Sequence, residues 1–427
     1  MKLVDVVSLG CSKNLVDSER LMAQLRANNI AVEHDPAVPR GEVAVINTCG
    51  FIGDAKEESI NTILQFAEEK HRGRLKKLYV MGCLSERYRA ELAEQIPEVD
   101  KFYGKFDWHG LVQELGATFR RDVMNERSLT TPPHYAYVKI SEGCNRMCSY
   151  CAIPLITGRH TSRPIEDIVD EVEKLSRGGV KELQIIAQDL SSYGIDLYKR
   201  NSLARLVEAL AEVEGIEWIR LHYAYPADFP MDLLQVMAAN PKVCNYLDIA
   251  LQHISDNMLS IMRRRITKAQ TLALLDDIRA KVPGIHLRTT LIAGHPGETQ
   301  DDFDELMEFV KTQRFERLGV FTYSHEEDTY AWRNYKDDIP EEVKQERADR
   351  LMTLQEGISA EVNAAKVGKV MRVIIDRKED DHYVGRTEFD SPEVDPEVVV
   401  YGNAKIGEFC DVCVTGAEDY DLLGEVV

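Results

Sequence analysis

Three cysteines fall within eight positions where residues 142–151 read EGCNRMCSYC: Cys144, Cys148 and Cys151, spaced C-x3-C-x2-C. A tetrahedral structural zinc site wants four ligands and a disulfide wants two. Three thiolates can instead hold a four-iron cluster with one iron lacking a protein ligand, and that iron is free to bind a substrate or cofactor. A zinc knuckle with a distant fourth ligand is the structural alternative. A second set lies upstream, in SLGCSKN, NTCGF and MGCLS, which carry Cys11, Cys49 and Cys83. Taken singly, each of these would read as a small buried hydrophobe.

What brings Cys11, Cys49 and Cys83 together is their position behind three apolar runs, Leu3 to Leu9, Val43 to Asn47 and Leu78 to Met81, each followed by a helix-like stretch. That alternation predicts a parallel α/β sheet. Ligands of such sheets gather at the carboxyl ends of strands, so cysteines about 35 residues apart in sequence converge on one site. Thr131-Pro132-Pro133, following a charged segment, marks a linker. Six further βα units then run from Tyr135, with strands at Tyr135 to Ile140, Val180 to Ala187, Ile216 to Tyr223, Tyr246 to Ala250, His286 to Ile292 and Leu318 to Tyr323. Six units predict an open, partial barrel, since eight would close a full one. Pro340 to Lys366 reads as a connecting helix. Beyond Gly368 the pattern shifts to short strands, Val370 to Ile375, Glu397 to Tyr401, Phe409 to Thr415 and Leu422 to Val426, in a small all-β barrel. The domains expected are therefore 1–118, a linker at 119–133, 134–340, a helix at 341–366, and 367–427.

The bulk properties narrow the class. The 427 residues are 44% hydrophobic and 29% charged, with a formal net charge of -20. Such a chain reads as soluble and globular, and its acidity argues against broad attraction to nucleic-acid backbones. Nine cysteines, an odd number without an export signal or a membrane-length apolar run, point to a reducing, cytoplasmic setting and to metal or redox chemistry. Cys244 reads as core. Cys410 and Cys413 sit three apart on a strand and so face opposite sides.

C-x3-C-x2-C with an aromatic residue, Tyr150, before the last cysteine resembles the signature of the radical S-adenosylmethionine (SAM) enzymes. The resemblance implies that the open iron chelates the amine and carboxylate of SAM, whose reductive cleavage gives a 5′-deoxyadenosyl radical able to attack unactivated C–H bonds. It implies that Tyr150 lies beside the adenine and that Gly178-Gly179, with Glu182 beyond, contacts the methionine part. In IIAQDLSSYG, Gln188 and Asp189 fall past the second strand, and in LIAGHPGET, Gly294 and Glu298 fall past the fifth; these are further cofactor candidates. His295 stands where the family more often has Phe.

Two cysteine trios, the first on an α/β domain and the second on the barrel, followed by a TRAM-type β-barrel, resemble the methylthiotransferases across essentially the whole chain. That family inserts sulfur into C–H bonds and methylates it, with an auxiliary 4Fe–4S cluster, here implied at Cys11, Cys49 and Cys83, carrying the sulfur. Two SAM molecules would be consumed, and the sulfur and electron donors stay unnamed. One branch modifies adenosine in tRNA; another modifies the β-carbon of an aspartate in ribosomal protein S12. Ser12-Lys13-Asn14 resembles the protein-modifying branch where the tRNA branch has Gln-Met-Asn, and CAIPLITGRHTSRP lacks the tRNA branch's Pro-Tyr-Thr-Arg-Gly. Residues 366–427 hold 7 Lys and Arg against 15 Asp and Glu, net minus eight, which would repel tRNA and attract a basic protein surface. The reading is an S12 aspartate methylthiotransferase, with a tRNA methylthiotransferase as the alternative and a non-catalytic zinc-bearing RNA-binding protein as the remote one.

Overall fold

A computed structural model describes residues 3–427. Its first sheet joins β1 (Leu3–Ser8), β2 (Ala31–His34), β3 (Val43–Thr48), β4 (Lys77–Gly82) and β5 (Lys101–Phe102), all parallel, in the order β2-β1-β3-β4-β5. Helix α1 (Ser12–Ala27) starts directly after the loop that leaves β1, α2 (Gly53–His71) after β3, and α3 (Cys83–Gln95) at once after β4. The order reverses between β1 and β3, which opens a crevice at their carboxyl ends. Apolar residues pack on both faces: Val4, Leu21 and Met81 on one, Ile46, Ile63 and Val80 on the other. The sequence reading had three strands here. It lacked β2, four half-buried residues at one edge, and β5, only two residues long.

The second sheet contains β6 (Tyr135–Lys139), β9 (Glu182–Ile186), β10 (Trp218–Ala224), β11 (Val243–Ile249), β12 (His286–Ala293) and β13 (Arg317–Thr322), side by side in chain order; a small hairpin of β7 (Ser141–Glu142) and β8 (Thr161–Ser162) stands apart. This is the expected open six-unit barrel. Alternate residues such as Val138, Leu183, Ile219 and Leu287 face the surrounding helices and form the largest core, while Tyr137, Glu182, Arg220 and Arg288 face inward, as strand periodicity demands.

The helix Glu341–Ala364 then packs along β12 and β13. It leads into a closed barrel of β14 (Val370–Glu379), β15 (His382–Thr387), β16 (Val398–Tyr401), β17 (Phe409–Ala417) and β18 (Leu422–Val426). β15 was not among the strands read from sequence.

The barrel does not stand free. Its residues touch all six strands of the central sheet near their starts: Glu393 meets Tyr135 and Tyr137, Arg386 meets Glu182, Asp395 meets Tyr246 and Arg288, and Asp390 meets Arg317. Arg220 donates to the Thr387 and Glu388 carbonyls. Part of the acidity counted from sequence is therefore internal. Of the fifteen barrel carboxylates, Asp376, Glu388, Asp390, Glu393, Asp395 and Glu408 hydrogen-bond to residues of the segment 134–317 and so do not all face outward.

The segment read as a linker is likewise pinned. Arg127 is sealed between Glu19 of α1 and Glu171, and Glu171 also accepts from Arg20 and Arg163. Among the described residues no helix is long and apolar enough to cross a membrane.

Candidate active site

Cys11, Cys49 and Cys83 leave the carboxyl ends of β1, β3 and β4 and meet at the crevice. Glycines make the approach possible. A Cβ on Gly10, whose φ is +84°, would stand 2.5 Å from the Cβ of Cys49, and one on Gly82, φ +102°, would strike the Thr48 backbone. Asn14 ties the three loops together, donating to the carbonyls of Leu9 (3.1 Å) and Thr48 (3.0 Å) and presenting its Oδ1 3.6 Å from Cys83 Sγ. Cys49 and Cys83 are buried, whereas Cys11 keeps solvent access although protein surrounds it.

The thiols differ electrostatically. Burial pushes the Cys83 thiol up to about 12, with neighbouring Cys11 and Cys49 adding to the rise. Burial also works against the Cys11 thiolate, but Lys13, Lys105 and two backbone N–H groups outweigh it and hold the thiol below its usual value. Lys105 is buried, with Nζ 3.9 Å from Cys83 Sγ and ion pairs to Asp17 and Glu142. Asn14 entered the sequence reading only as a branch marker and Lys105 not at all. A lysine 22 positions from the nearest cysteine of its trio carries no local signal.

The second trio follows β6 and β7. Cys144 Sγ accepts from the Arg146 N–H at 3.4 Å. Cys148 Sγ lies 3.1 Å from Arg264 Nη1 and 3.6 Å from the Tyr225 hydroxyl. Burial pushes Cys144 up to about 12 and raises Cys151 further. Tyr150 directs its hydroxyl to Arg264 at 3.1 Å and its ring edge-on to His295. His295 is locked as a neutral ring: Nδ1 lies 2.9 Å from the Pro296 carbonyl and Nε2 3.0 Å from Ser149 Oγ. Burial drops its pKa to about 4.

The segments that carry the two trios touch. Cys83 packs against Ala152, the residue after Cys151, and against Ile156. Arg87 and Lys56 pair with Glu326 beyond β13, fixing the first sheet against the barrel mouth.

The remaining candidates divide. Gln188 and Asp189 lie past β9, on the cysteine side. Asp189 Oδ2 binds Arg146 at 2.9 Å and Ser192 at 2.5 Å, while its Oδ1, Gln188 Oε1 and Gln252 Oε1 are buried acceptors with no donor. Such acceptors are of the type that the ammonium and hydroxyl groups of SAM would need at this site.

Gly178 and Gly179 do not belong to it. They are exposed, they end the helix Ile165–Arg177, and they precede β9, on the order of 15 Å from its carboxyl end. The tandem glycine is a helix stop, and Glu182 is spent on Arg220 and Arg386. Glu298 is engaged too: Oε1 pairs with Arg347 at 2.6 Å and Oε2 accepts from the Gly294 N–H at 3.0 Å, beside His253. Gly294 makes room for Lys344, whose Cγ a Cβ would meet at 2.3 Å. Gly294 and Glu298 thus shape the turn and seat the helix Glu341–Ala364.

Cys244 is buried beside Trp218 and Tyr246, as expected of a core residue. No three His, Cys, Asp or Glu side chains among the described residues close in at single-ion distances; a four-iron cluster reaches thiolates farther apart than one zinc does.

Family models match three stretches: the Radical SAM superfamily over residues 138–310, Uncharacterized protein family UPF0004 over 3–104, and the TRAM domain over 367–427. The ribosomal protein uS12 methylthiotransferase RimO of Bacteroides fragilis is 62% identical over 429 residues, covering 100% of this chain and 99% of that protein. RimO of Bacteroides thetaiotaomicron is also 62% identical, covering 100% and 98%. Among solved structures, the radical SAM methyltransferase TsrM of Kitasatospora setae, with cobalamin and a [4Fe-4S] cluster bound, aligns with TM-score 0.54 at 15% identity over 75% of each chain, a likeness of fold. With RimO-level identity end to end and a radical SAM domain at its centre, the chain belongs to the ribosomal protein uS12 methylthiotransferases, radical SAM enzymes that use SAM and a 4Fe–4S cluster.

Proposed function

We propose that this chain places a methylthio group on the β-carbon of an aspartate in ribosomal protein uS12, and that it does so with two 4Fe–4S clusters. The radical-forming cluster is assigned to Cys144, Cys148 and Cys151, and the auxiliary cluster to Cys11, Cys49 and Cys83. The observation that carries this reading is the contact of Cys83 with Ala152. It supports a shared interdomain space for the two trios, in which carbon activated on one side would meet sulfur held on the other.

When bound, SAM and the clusters supply the one-electron chemistry and the methylated sulfur. The protein's own groups bind and shield. Gln188, Asp189 and Gln252 offer acceptors to SAM, Tyr150 walls the pocket, and Arg264 supports Cys148. Lys13 and Lys105 lay positive charge beside the auxiliary trio, which favours a cluster of net negative charge. Functional units at 1–118, 134–340 and 367–427, joined by 119–133 and 341–366, accord with this division of labour.

The test is anaerobic reconstitution followed by turnover with SAM, dithionite and sulfide, offering uS12 and tRNA side by side and reading both by mass spectrometry. A methylthio group on one uS12 aspartate is the expected result. Thiomethylation of tRNA alone overturns the reading.

A further inference from the structure

One cation between the two trios has no carboxylate partner among the described residues. Lys13, two residues past Cys11 in the first turn of α1, is only 9% exposed, and among the described residues no carboxylate lies within ion-pair distance of its ammonium. Its Nζ instead lies 3.5 Å from the centroid of the Tyr223 ring. Lys105 and Lys139, facing the same space, are each paired with both Asp17 and Glu142. Burying an unpaired ammonium is costly. A cation so placed at the meeting of two domains, beside the Cys11 thiol whose ionised form it favours, can also receive an anionic group that arrives from outside.

Tyr223 supplies the second observation. It stands at the carboxyl end of β10 with φ +66°, a conformation that bulky residues rarely adopt and that collects at functional sites. The Asp248 carboxylate holds its N–H at 3.2 Å, and its side chain stays 37% exposed. Two residues on, the Tyr225 hydroxyl approaches Cys148. The Lys13–Tyr223 pair therefore spans the gap, within two residues of Cys11 on one side and of the Cys148 contact on the other.

We propose that Lys13, steadied by the ring of Tyr223, receives the side-chain carboxylate of the aspartate to be modified; this rests on the function proposed above. The β-carbon is bonded directly to that carboxylate, so anchoring the carboxylate at Lys13 presents the reacting C–H between the trios. A buried ammonium also selects for charge, since an asparagine in the same position brings a neutral amide and leaves the cation unpaired.

The experiment measures binding of uS12, and of uS12 with its target Asp replaced by Asn, to the SAM-loaded, reconstituted enzyme, with iron and sulfide counted for every variant. For the unaltered enzyme the aspartate form should bind about 10- to 100-fold more tightly. Lys13→Met should bring the two within about threefold, and Lys13→Arg should restore part of the preference. A Lys13→Met enzyme that keeps the full preference overturns the assignment, as does one that weakens both proteins equally or that loses only cluster iron while still discriminating. An unaltered enzyme that binds neither protein and thiomethylates tRNA defeats the underlying function instead.

Discussion

Arg386 of the closed barrel grips Glu182 at the start of β9, Nη2 to Oε2 at 2.7 Å, with both side chains sealed from water. Arg220 shares the same carboxylate at 3.0 Å. Burial opposes the charge on Glu182, but the two guanidiniums hold its pKa below the usual value. Glu182→Gln leaves both cations facing an amide, which should cost about 3–5 kcal/mol. The loss would appear as earlier thermal unfolding and as new protease cleavage near residues 365–369, where the barrel joins its helix.

The trios should be separable by iron content. Cys11→Ala, Cys49→Ala or Cys83→Ala should each remove about four of about eight irons, and Cys144→Ala, Cys148→Ala or Cys151→Ala the other four. Cys410→Ser and Cys413→Ser should leave the count unchanged. Iron and sulfide assays after anaerobic reconstitution check this.

Arg264 places positive charge 3.1 Å from Cys148 Sγ. Hydrogen bonds and charge at cluster sulfurs tune reduction potential. Arg264→Met should shift the potential of that cluster to more negative values and slow reductive SAM cleavage, measured by potentiometric titration and by 5′-deoxyadenosine release.

His295 gives a pH dependence of definite sign. Its folded pKa is about 4, against about 6.5 for a free histidine. Between these values the unfolded chain holds the proton and the folded one does not, so stability falls as pH drops from about 6.5 to about 4 and is flat beyond either end. His295→Phe removes this slope. The thermal-stability advantage of the unaltered protein over His295→Phe should therefore shrink as pH is lowered from 7 to 5.

Gly178 lies at the far end of β9 from the cysteines. Gly178→Ala should change SAM affinity by less than about twofold, while Asp189→Ala, which removes both the Arg146 tie and the free Oδ1, should weaken it clearly. Equilibrium binding of SAM to the reconstituted enzyme distinguishes the two.

The pattern of success and failure in the sequence has physical causes. The six central strands were legible because runs such as Tyr135–Lys139 and Glu182–Ile186 are buried throughout, and buried runs between turn signals survive any tertiary context. Edge strands such as β2, half-buried and short, leave no such mark. The cysteine trios were legible because Cys11, Cys49 and Cys83 each follow a buried strand, β1, β3 and β4, and because Cys144, Cys148 and Cys151 lie within eight positions. Gly178-Gly179 misled because a glycine pair looks the same whether it receives a ligand or stops a helix, and only the direction of β9 tells them apart. The barrel's acidity was counted correctly but placed only in part: the carboxylates of Asp390 and Asp395 find Arg317 and Arg288 at separations of 73 and 107 residues, beyond any local pattern.

Those same contacts stopper the central sheet. Because the closed barrel touches the beginnings of all six strands, the sheet is closed off at that end. A side chain that reaches the cysteines therefore comes and goes on the carboxyl-end side of the strands.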